Sequence, residues 1–328
     1  FQAEDGIRDC LLSRGLGDVY KRQPLDATVS LTTLTPFYSE DVLLSKGDLL
    51  AKNSDGVTTL LYLQTLYKAD WASFLERRKM TENSAHAECF SPEHELETRL
   101  WASFRAQTLA RTVEGMMHCE AALRLLARLE RVHGAHVARK RRTAGAQAPR
   151  RSSRYAAACE DSETHPVIGL EDLLKLKFGY VVSCQVYGKQ RKNDDVKAKD
   201  IELLLRRFPL LRVAYIDEQR VGRSGAVAFY SCLVKAGEDG NPAEVYRVRL
   251  PGNPVIGEGK PENQNHAIVF TRGECLQTID MNQDGFFEEA LKMRNLLQEF
   301  KAGAPGVPEV PGAPPTTIVG FREHIFTG

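Results

Sequence analysis

The stretch that decides the fold reads YVVSCQVY at residues 180–187, DVKAKDIELLLRRF at 195–208 and LRVAYI at 211–216. The outer two segments are rich in β-branched and aromatic residues, which favours strands, whereas the middle one repeats its apolar residues at helical spacing. A strand, a helix and a second strand in this order form a unit whose two strands run parallel, with a right-handed crossover. The second half of the chain is therefore predicted to be an α/β domain.

More strands are expected along this half, and the changes in spacing between them predict a mixed sheet. Apolar runs that favour strands lie at 227–234, 245–250, 267–271 and 275–279, and a helix is expected at 287–300.

A helical region is predicted to precede the α/β part. A turn is expected at 34–40, with helices after it, and a long helix from Glu95 to about Val132 carries an apolar face beside a row of arginines. A face of this kind most often packs against a core.

Composition divides the chain further. Residues 1–23 show no sustained hydrophobic periodicity and resemble a translated library adapter. The helical part is expected at 24–138, and the α/β part at 166–300. A basic insertion at 139–165 separates these two parts, and a Pro/Gly linker at 301–315 leads to the start of a next element at 316–328. Both ends are expected to be cut from a longer protein.

The insertion carries seven basic residues at 139–154 and is expected to be disordered. It would be either a solvated loop or a segment that binds anionic lipid headgroups.

Charge and cysteine content exclude several classes of protein. The 328 residues carry 44 Lys and Arg against 43 Asp and Glu, which argues against a nucleic-acid binder. The seven cysteines form no C-x-x-C pair, so neither a disulfide scaffold nor a zinc ribbon is indicated, and a reducing compartment fits best. No stretch reaches the roughly 18–20 apolar residues of a membrane span.

Three polar clusters, at 217–218, 257–266 and 280–284, are candidates for one ligand site. In open α/β sheets ligands bind outside the carboxyl ends of the strands. The glycines of the middle cluster would let backbone N–H groups approach a phosphate, and Lys260 would add a cation. Pro254 and Pro261 exclude a P-loop. A surface hairpin loop is the alternative, although the amide run 263–265 favours a ligand site.

Asp280 and Asp284 could bind a divalent cation, or one carboxylate could act as a general base. The alternative is an acidic turn at the start of the helix that follows.

Several motifs then carry a resemblance to a known family. The segments LTPFYSEDVL at 34–43, KFGYVVSCQVYGKQ at 177–190 and GEGKPENQNHAIVFTRGECLQTIDMNQD at 257–284 resemble the catalytic region of callose synthases, the 1,3-beta-glucan synthase family, and are nearer to its plant type. The resemblance implies a GT-A-like glycosyltransferase domain. It also implies an inverting, processive enzyme that moves glucose from UDP-glucose onto a 1,3-beta-glucan acceptor in cell-wall biogenesis.

The resemblance further implies a parent protein embedded in the plasma membrane, with this segment on its cytoplasmic side. A small Rho-type GTPase is the regulator that it suggests. The D-x-D metal motif of GT-A enzymes is absent, so a divalent cation such as Mg²⁺ stays an open candidate as cofactor. The isolated fragment is expected to be inactive.

By the same resemblance, family active-site residues fall on Glu40, Lys260 and Asp280. Lys260 would stabilise the pyrophosphate of the leaving UDP, Asp280 would act as general base, and Glu40 would orient the acceptor or a helping cation. The predicted substrate-binding residues are Gly257, Gly259, Asn263, Gln264, Asn265, His266, Asp217 and Asp284. A non-catalytic nucleotide-binding module and an anionic-membrane or partner-binding module are the rival hypotheses.

Overall fold

The structure, a computed structural model, describes residue 25 and the ranges 28–143, 169–221, 226–281, 285–300 and 316–319. The adapter-like residues 1–23, the insertion from residue 144 onward and the linker 301–315 lie outside the described residues. Along the described ranges, no helix combines the length and the apolar character that crossing a membrane requires.

Six strands form one sheet. They are β1 (Leu31–Pro36), β2 (Phe178–Ser183), β3 (Leu211–Val221), β4 (Ala226–Ala236), β5 (Pro242–Arg249) and β6 (Cys275–Thr278). Their order across the sheet is β5-β4-β3-β2-β1-β6. Neighbours from β6 to β3 run parallel, whereas β3, β4 and β5 pair antiparallel. The predicted mixed α/β sheet is therefore confirmed.

Helices pack on both faces of this sheet, and several of them form a separate apolar cluster. The helices are α1 (Lys46–Leu50), α2 (Thr59–Leu66), α3 (Lys68–Arg78), α4 (Glu82–Glu88), α5 (Glu95–Ser103), α6 (Leu109–Thr143), α7 (Leu170–Lys177), α8 (Tyr187–Lys192), α9 (Val196–Arg207), α10 (Lys260–Ala267) and α11 (Phe287–Gln298). The helix expected at 195–208 is α9, and Asp195 caps it by accepting a hydrogen bond from the N–H of Lys197. Strands β2 and β3 flank it and run parallel, as predicted.

Strand β1 corrects the turn expected at 34–40. The segment LTTLTP is buried along its whole length and lies between β2 and β6. Its Leu and Thr residues fit a pleated surface that is covered on both faces. Through β1, the segments 24–138 and 166–300 share one sheet.

Two helical predictions also change. The helix expected from Glu95 to about Val132 is divided into α5 and α6, and the Thr108 hydroxyl at the break donates to the carbonyl of Ser103 at 2.8 Å. Helix α6 continues to Thr143, so the first residues of the basic segment expected as a loop are helical.

The strand expected at 267–271 is wrong. Helix α10 occupies 260–267, and a 3₁₀ turn follows at Ile268–Phe270. A glycine before the first turn, Pro261 within it and Glu262 at its third position are typical of a helix start. Only Ala267 and Phe270 of the apolar run turn inward, whereas Ile268 and Val269 are exposed.

The sheet separates two layers of unequal size. One face carries the main core, in which Tyr180, Val182 and Val213 lie in one cluster with residues of α6, α7, α9 and α11. On the opposite face a smaller cluster joins Leu34, Val181, Ala214 and Leu233 to Ala267 and Phe270. Helix α10 and its 3₁₀ turn therefore cover that second face.

Candidate active site

The carboxyl ends of three adjacent parallel strands meet at one edge of the sheet. Strand β1 ends at Pro36, β2 at Ser183 and β6 at Thr278, and β1 lies between the other two. Parallel strands bring the loops that follow them to the same edge, where α/β proteins bind ligands. The first turn of α10 lies against this edge, because Asn263 contacts the ends of β1 and β2.

Lys260 and Asp280 form an ion pair at this edge. The Nζ of Lys260 lies 2.7 Å from Oδ1 of Asp280, and the two side chains are 57% and 41% exposed. The hydrogen bond from Lys260 is the main cause that lowers the pKa of the Asp280 carboxyl below its ordinary value. Both side chains are open to a ligand.

Glu262 fixes the segment 256–259, the glycine loop, which leads to Lys260. Its Oε2 accepts hydrogen bonds from the backbone N–H groups of Ile256, Gly257 and Glu258 at 2.6, 2.8 and 3.1 Å. These N–H groups are among those expected to approach a phosphate, and in this structure they bind the carboxylate instead. Anion binding by this loop would then depend on the Lys260 ammonium.

Asn263 is fully buried, and its amide bonds only to the main chain. Its Nδ2 donates to the carbonyls of Phe37 at 2.8 Å and Ser183 at 3.0 Å, and its Oδ1 accepts from the N–H of Gln185 at 3.2 Å. One side chain thus ties α10 to the ends of β1 and β2. The other amides differ, since Gln264 is half-buried and Asn265 is exposed.

His266 lies near the end of α10 and is buried against the face of the sheet opposite the main core. Its Nδ1 is 2.9 Å from the hydroxyl of Ser231 on β4, and this hydroxyl also donates to the His266 carbonyl at 2.9 Å. Burial lowers the pKa of the ring to about 4. His266 is therefore neutral near pH 7 and anchors the end of α10 to the sheet.

Glu40 lies in the turn that follows β1. Its Oε2 accepts hydrogen bonds from the N–H groups of Tyr38 and Ser39, at 3.2 and 3.0 Å. The Nζ of Lys197 donates to the carbonyls of Ser39 and Glu40. Because Asn263 binds the carbonyl of Phe37, the turn that carries Glu40 is tied to the same helix as Lys260.

Asp217 lies on the other face of the sheet. Side chains alternate along a strand, and Tyr215, two residues earlier, packs against Tyr187 of the main-core layer. The Asp217 carboxylate accepts hydrogen bonds from Lys192 and Arg247, both at 2.8 Å. Burial opposes its charge, but these bonds outweigh that effect and lower its pKa. The structure thus separates Asp217 from α10 and its contacts.

Asp284 is outside the described residues. Among the residues that are described, no cluster of three or more His, Cys, Asp or Glu side chains could hold a metal ion. The divalent cation stays a prediction.

Sequence reasoning missed Glu262, although a signal for it was present. A Glu three residues after Gly259, with a proline between them, is the pattern of a helix start whose acidic side chain turns back to cap the preceding backbone. Its burial could not be read from the sequence, because the surrounding residues are mostly polar.

The family model described as "1,3-beta-glucan synthase component" matches residues 16–91 and 85–328. Three similar proteins of Arabidopsis thaliana bear callose synthase names. Callose synthase 9 is 45% identical over 313 residues, callose synthase 10 is 46% identical over 323, and callose synthase 5 is 47% identical over 302. These matches cover 92–95% of this chain but only 15% of each relative.

Proposed function

Because the chain belongs to the 1,3-beta-glucan synthase family, we propose that it forms part of the catalytic region of a callose synthase. In this proposal the whole enzyme is an inverting, processive glycosyltransferase that moves glucose from UDP-glucose onto a growing 1,3-beta-glucan, and its mixed sheet is of the GT-A type. The observation that carries the proposal is the exposed Lys260–Asp280 pair at the carboxyl edge of the parallel strands.

The proposed reaction is a single displacement. The 3-hydroxyl oxygen of the acceptor attacks C1 of glucose, the bond from C1 to the phosphate oxygen breaks, and its electron pair leaves with UDP. The hydroxyl proton passes to the Asp280 carboxylate, and the anomeric centre inverts without a covalent intermediate. Lys260 stabilises the negative charge that develops on the pyrophosphate.

The ion pair couples donor binding to the strength of the base. Without a donor, Lys260 holds the pKa of Asp280 low, so the carboxylate is a weak base. A bound pyrophosphate attracts the Lys260 ammonium and weakens its bond to Asp280. The pKa of Asp280 then rises towards its ordinary value, and the base strengthens only when a donor is present.

Glu40 is assigned the acceptor side of the site. Two backbone N–H groups fix its carboxylate, and its turn is tied to α10 through Phe37 and Asn263. A carboxylate held in this way can orient a sugar hydroxyl or a helping cation.

The remaining assignments rest on family membership. The parent protein is proposed to lie in the plasma membrane with this segment on the cytoplasmic side, and a Rho-type GTPase is proposed as its regulator. Since the chain spans about 15% of the length of the curated relatives it matches, the isolated chain is proposed to bind UDP without making polymer.

Substitution of Lys260 in the full-length synthase tests the proposal. We expect Lys260→Ala to lower turnover by about 10²–10³, which corresponds to about 2.7–4 kcal/mol of transition-state stabilisation. Lys199→Ala is the matched control, because Lys199 forms an exposed ion pair of 2.8 Å with Asp194. A Lys260→Ala enzyme that makes glucan at a near-normal rate contradicts the assignment.

Asp280→Asn separates the enzyme from a non-catalytic nucleotide-binding module. An enzyme loses glucan synthesis and still binds UDP in calorimetry, because the asparagine keeps the shape of the side chain but cannot take the proton. Glucan synthesis that survives Asp280→Asn removes the general base from the proposal.

A further inference from the structure

The glycine loop before α10 has almost no packing to hold its shape. Gly257 and Gly259 adopt φ of +91° and +69°, and a Cβ added at either position would have no neighbouring atom within 4 Å. Ile256 is 72% exposed. A loop with so few apolar contacts has little in its own packing that would select one conformation.

Hydrogen bonds to the Glu262 carboxylate hold this loop, which apolar packing does not fix. Glu262 is only 4% exposed, and one of its carboxylate oxygens accepts hydrogen bonds from three consecutive backbone N–H groups, from Ile256 to Glu258. Burial opposes its charge, but these donors outweigh burial and lower the pKa of the carboxyl. Hydrogen bonds to an ionised acceptor are about twice as strong as neutral ones.

The same turn of helix is also bonded to the ends of β1 and β2. Asn263, the next residue, bonds to the carbonyls of Phe37 and Ser183. Adjacent side chains therefore bind the loop that precedes α10 and the strand ends that it covers. Lys260 lies in this turn, after residues 256–258 and two residues before Glu262.

We propose that Glu262 is a positioning residue, whose buried carboxylate holds residues 256–258 in the conformation that presents Lys260 to Asp280 and to the donor pyrophosphate. This inference rests on the proposed function and assigns to Glu262 a task separate from contact with substrate. Three N–H groups bond to its buried Oε2, and the exposed Lys260 ammonium stays open to an anionic donor.

Hydrogen exchange of the 328-residue chain tests the structural part without any activity assay. In Glu262→Ala the amides of Ile256, Gly257 and Glu258 lose their acceptor, and we expect them to exchange at least about tenfold faster. Glu258→Ala is the matched control, because it removes an exposed carboxylate from the same loop and keeps all three bonds. Equal exchange in Glu262→Ala and Glu258→Ala overturns the proposal.

A double-mutant cycle in the full-length synthase tests the functional part. We expect Glu262→Ala to lower kcat/KM for UDP-glucose at least about tenfold, with Glu262→Gln in between because its amide oxygen can still accept. If Glu262 acts through Lys260, the loss shrinks towards none when Lys260→Ala is already present. Losses that simply add indicate general damage and overturn the proposal.

The two proposals fail in distinguishable ways. A Lys260→Ala enzyme with normal turnover removes the proposed function itself. If Lys260→Ala is impaired and Glu262→Ala behaves like Glu258→Ala, only the role of Glu262 is lost. Should Glu262→Ala fail to fold, Glu262→Gln still decides, since an exchange rate and kcat/KM equal to those of the unsubstituted protein overturn the inference.

Discussion

Asn263→Ala should destabilise the protein far more than its single amide suggests. The substitution removes three hydrogen bonds to main-chain groups. Ser183 keeps a partner, because its carbonyl also accepts from the N–H of Phe37 at 2.8 Å. The carbonyl of Phe37 and the N–H of Gln185 lose this partner at a buried site, and an unsatisfied buried group costs about 1–3 kcal/mol. For these two groups together the expected loss is about 2–6 kcal/mol.

Thermal and denaturant unfolding of the 328-residue chain measure this loss. In domains of about 150–250 residues, a loss of about 1 kcal/mol lowers the melting temperature by about 2–4 °C, so we expect a decrease of about 4–24 °C. Asn265→Ala is the control, because it makes the same change two residues away at an exposed position, where about 0.5 kcal/mol or less is expected. If the two variants unfold within about 0.5 kcal/mol of each other, Asn263 does not tie the strands to α10.

Two further predictions concern stability. The buried His266 has a pKa of about 4, whereas an unfolded histidine titrates at about pH 6.5, so protons bind to the unfolded chain first. The free energy of unfolding should therefore fall by about 2 kcal/mol between pH 7 and pH 5. In His266→Gln, unfolding midpoints measured over the same pH range should not show this histidine-dependent decrease. Gly115→Ala should destabilise by about 2 kcal/mol net, because its Cβ would lie 2.8 Å from the backbone N of Gly285, and overpacking of up to about 3 kcal/mol exceeds the gain of about 1 kcal/mol in helix propensity. Its control is Gly47→Ala, whose nearest atom is 3.4 Å away; equal denaturation midpoints for the two glycine variants would exclude the backbone clash.

Periodicity predicted the parts of the fold that carry their own pattern. Strands β2 and β3 and helix α9 were predicted because each repeats its apolar residues at the spacing of its own structure. Strand β1 was missed because its threonines and terminal Pro36 also fit a turn. Its extended form depends on pairing with β2 and β6, which lie far away in the sequence. The run AIVF was assigned to a strand from composition, but the helix start at Gly259–Glu262 decides its structure.

The candidate site was predictable in its residue types and less so in its geometry. The resemblance placed Lys260 and Asp280 in one active site, and the structure joins them by an ion pair. The sequence could not tell which face of the sheet Asp217 would take, because a one-residue difference along a strand reverses the direction of the side chain. Nor could it separate the buried Asn263 from the exposed Asn265, since both belong to one amide run on a short helix.

The central position of β1 also has a consequence for the newly made chain. This strand pairs with residues near 178 and near 275, and the six buried residues cannot acquire these partners until both segments have been synthesised. Contacts between such distant residues slow folding, because a long loop must close before the contact is gained. A ribosome that pauses before residue 275 would therefore hold a chain whose β1 still exposes an unpaired edge, the feature by which incomplete sheets aggregate.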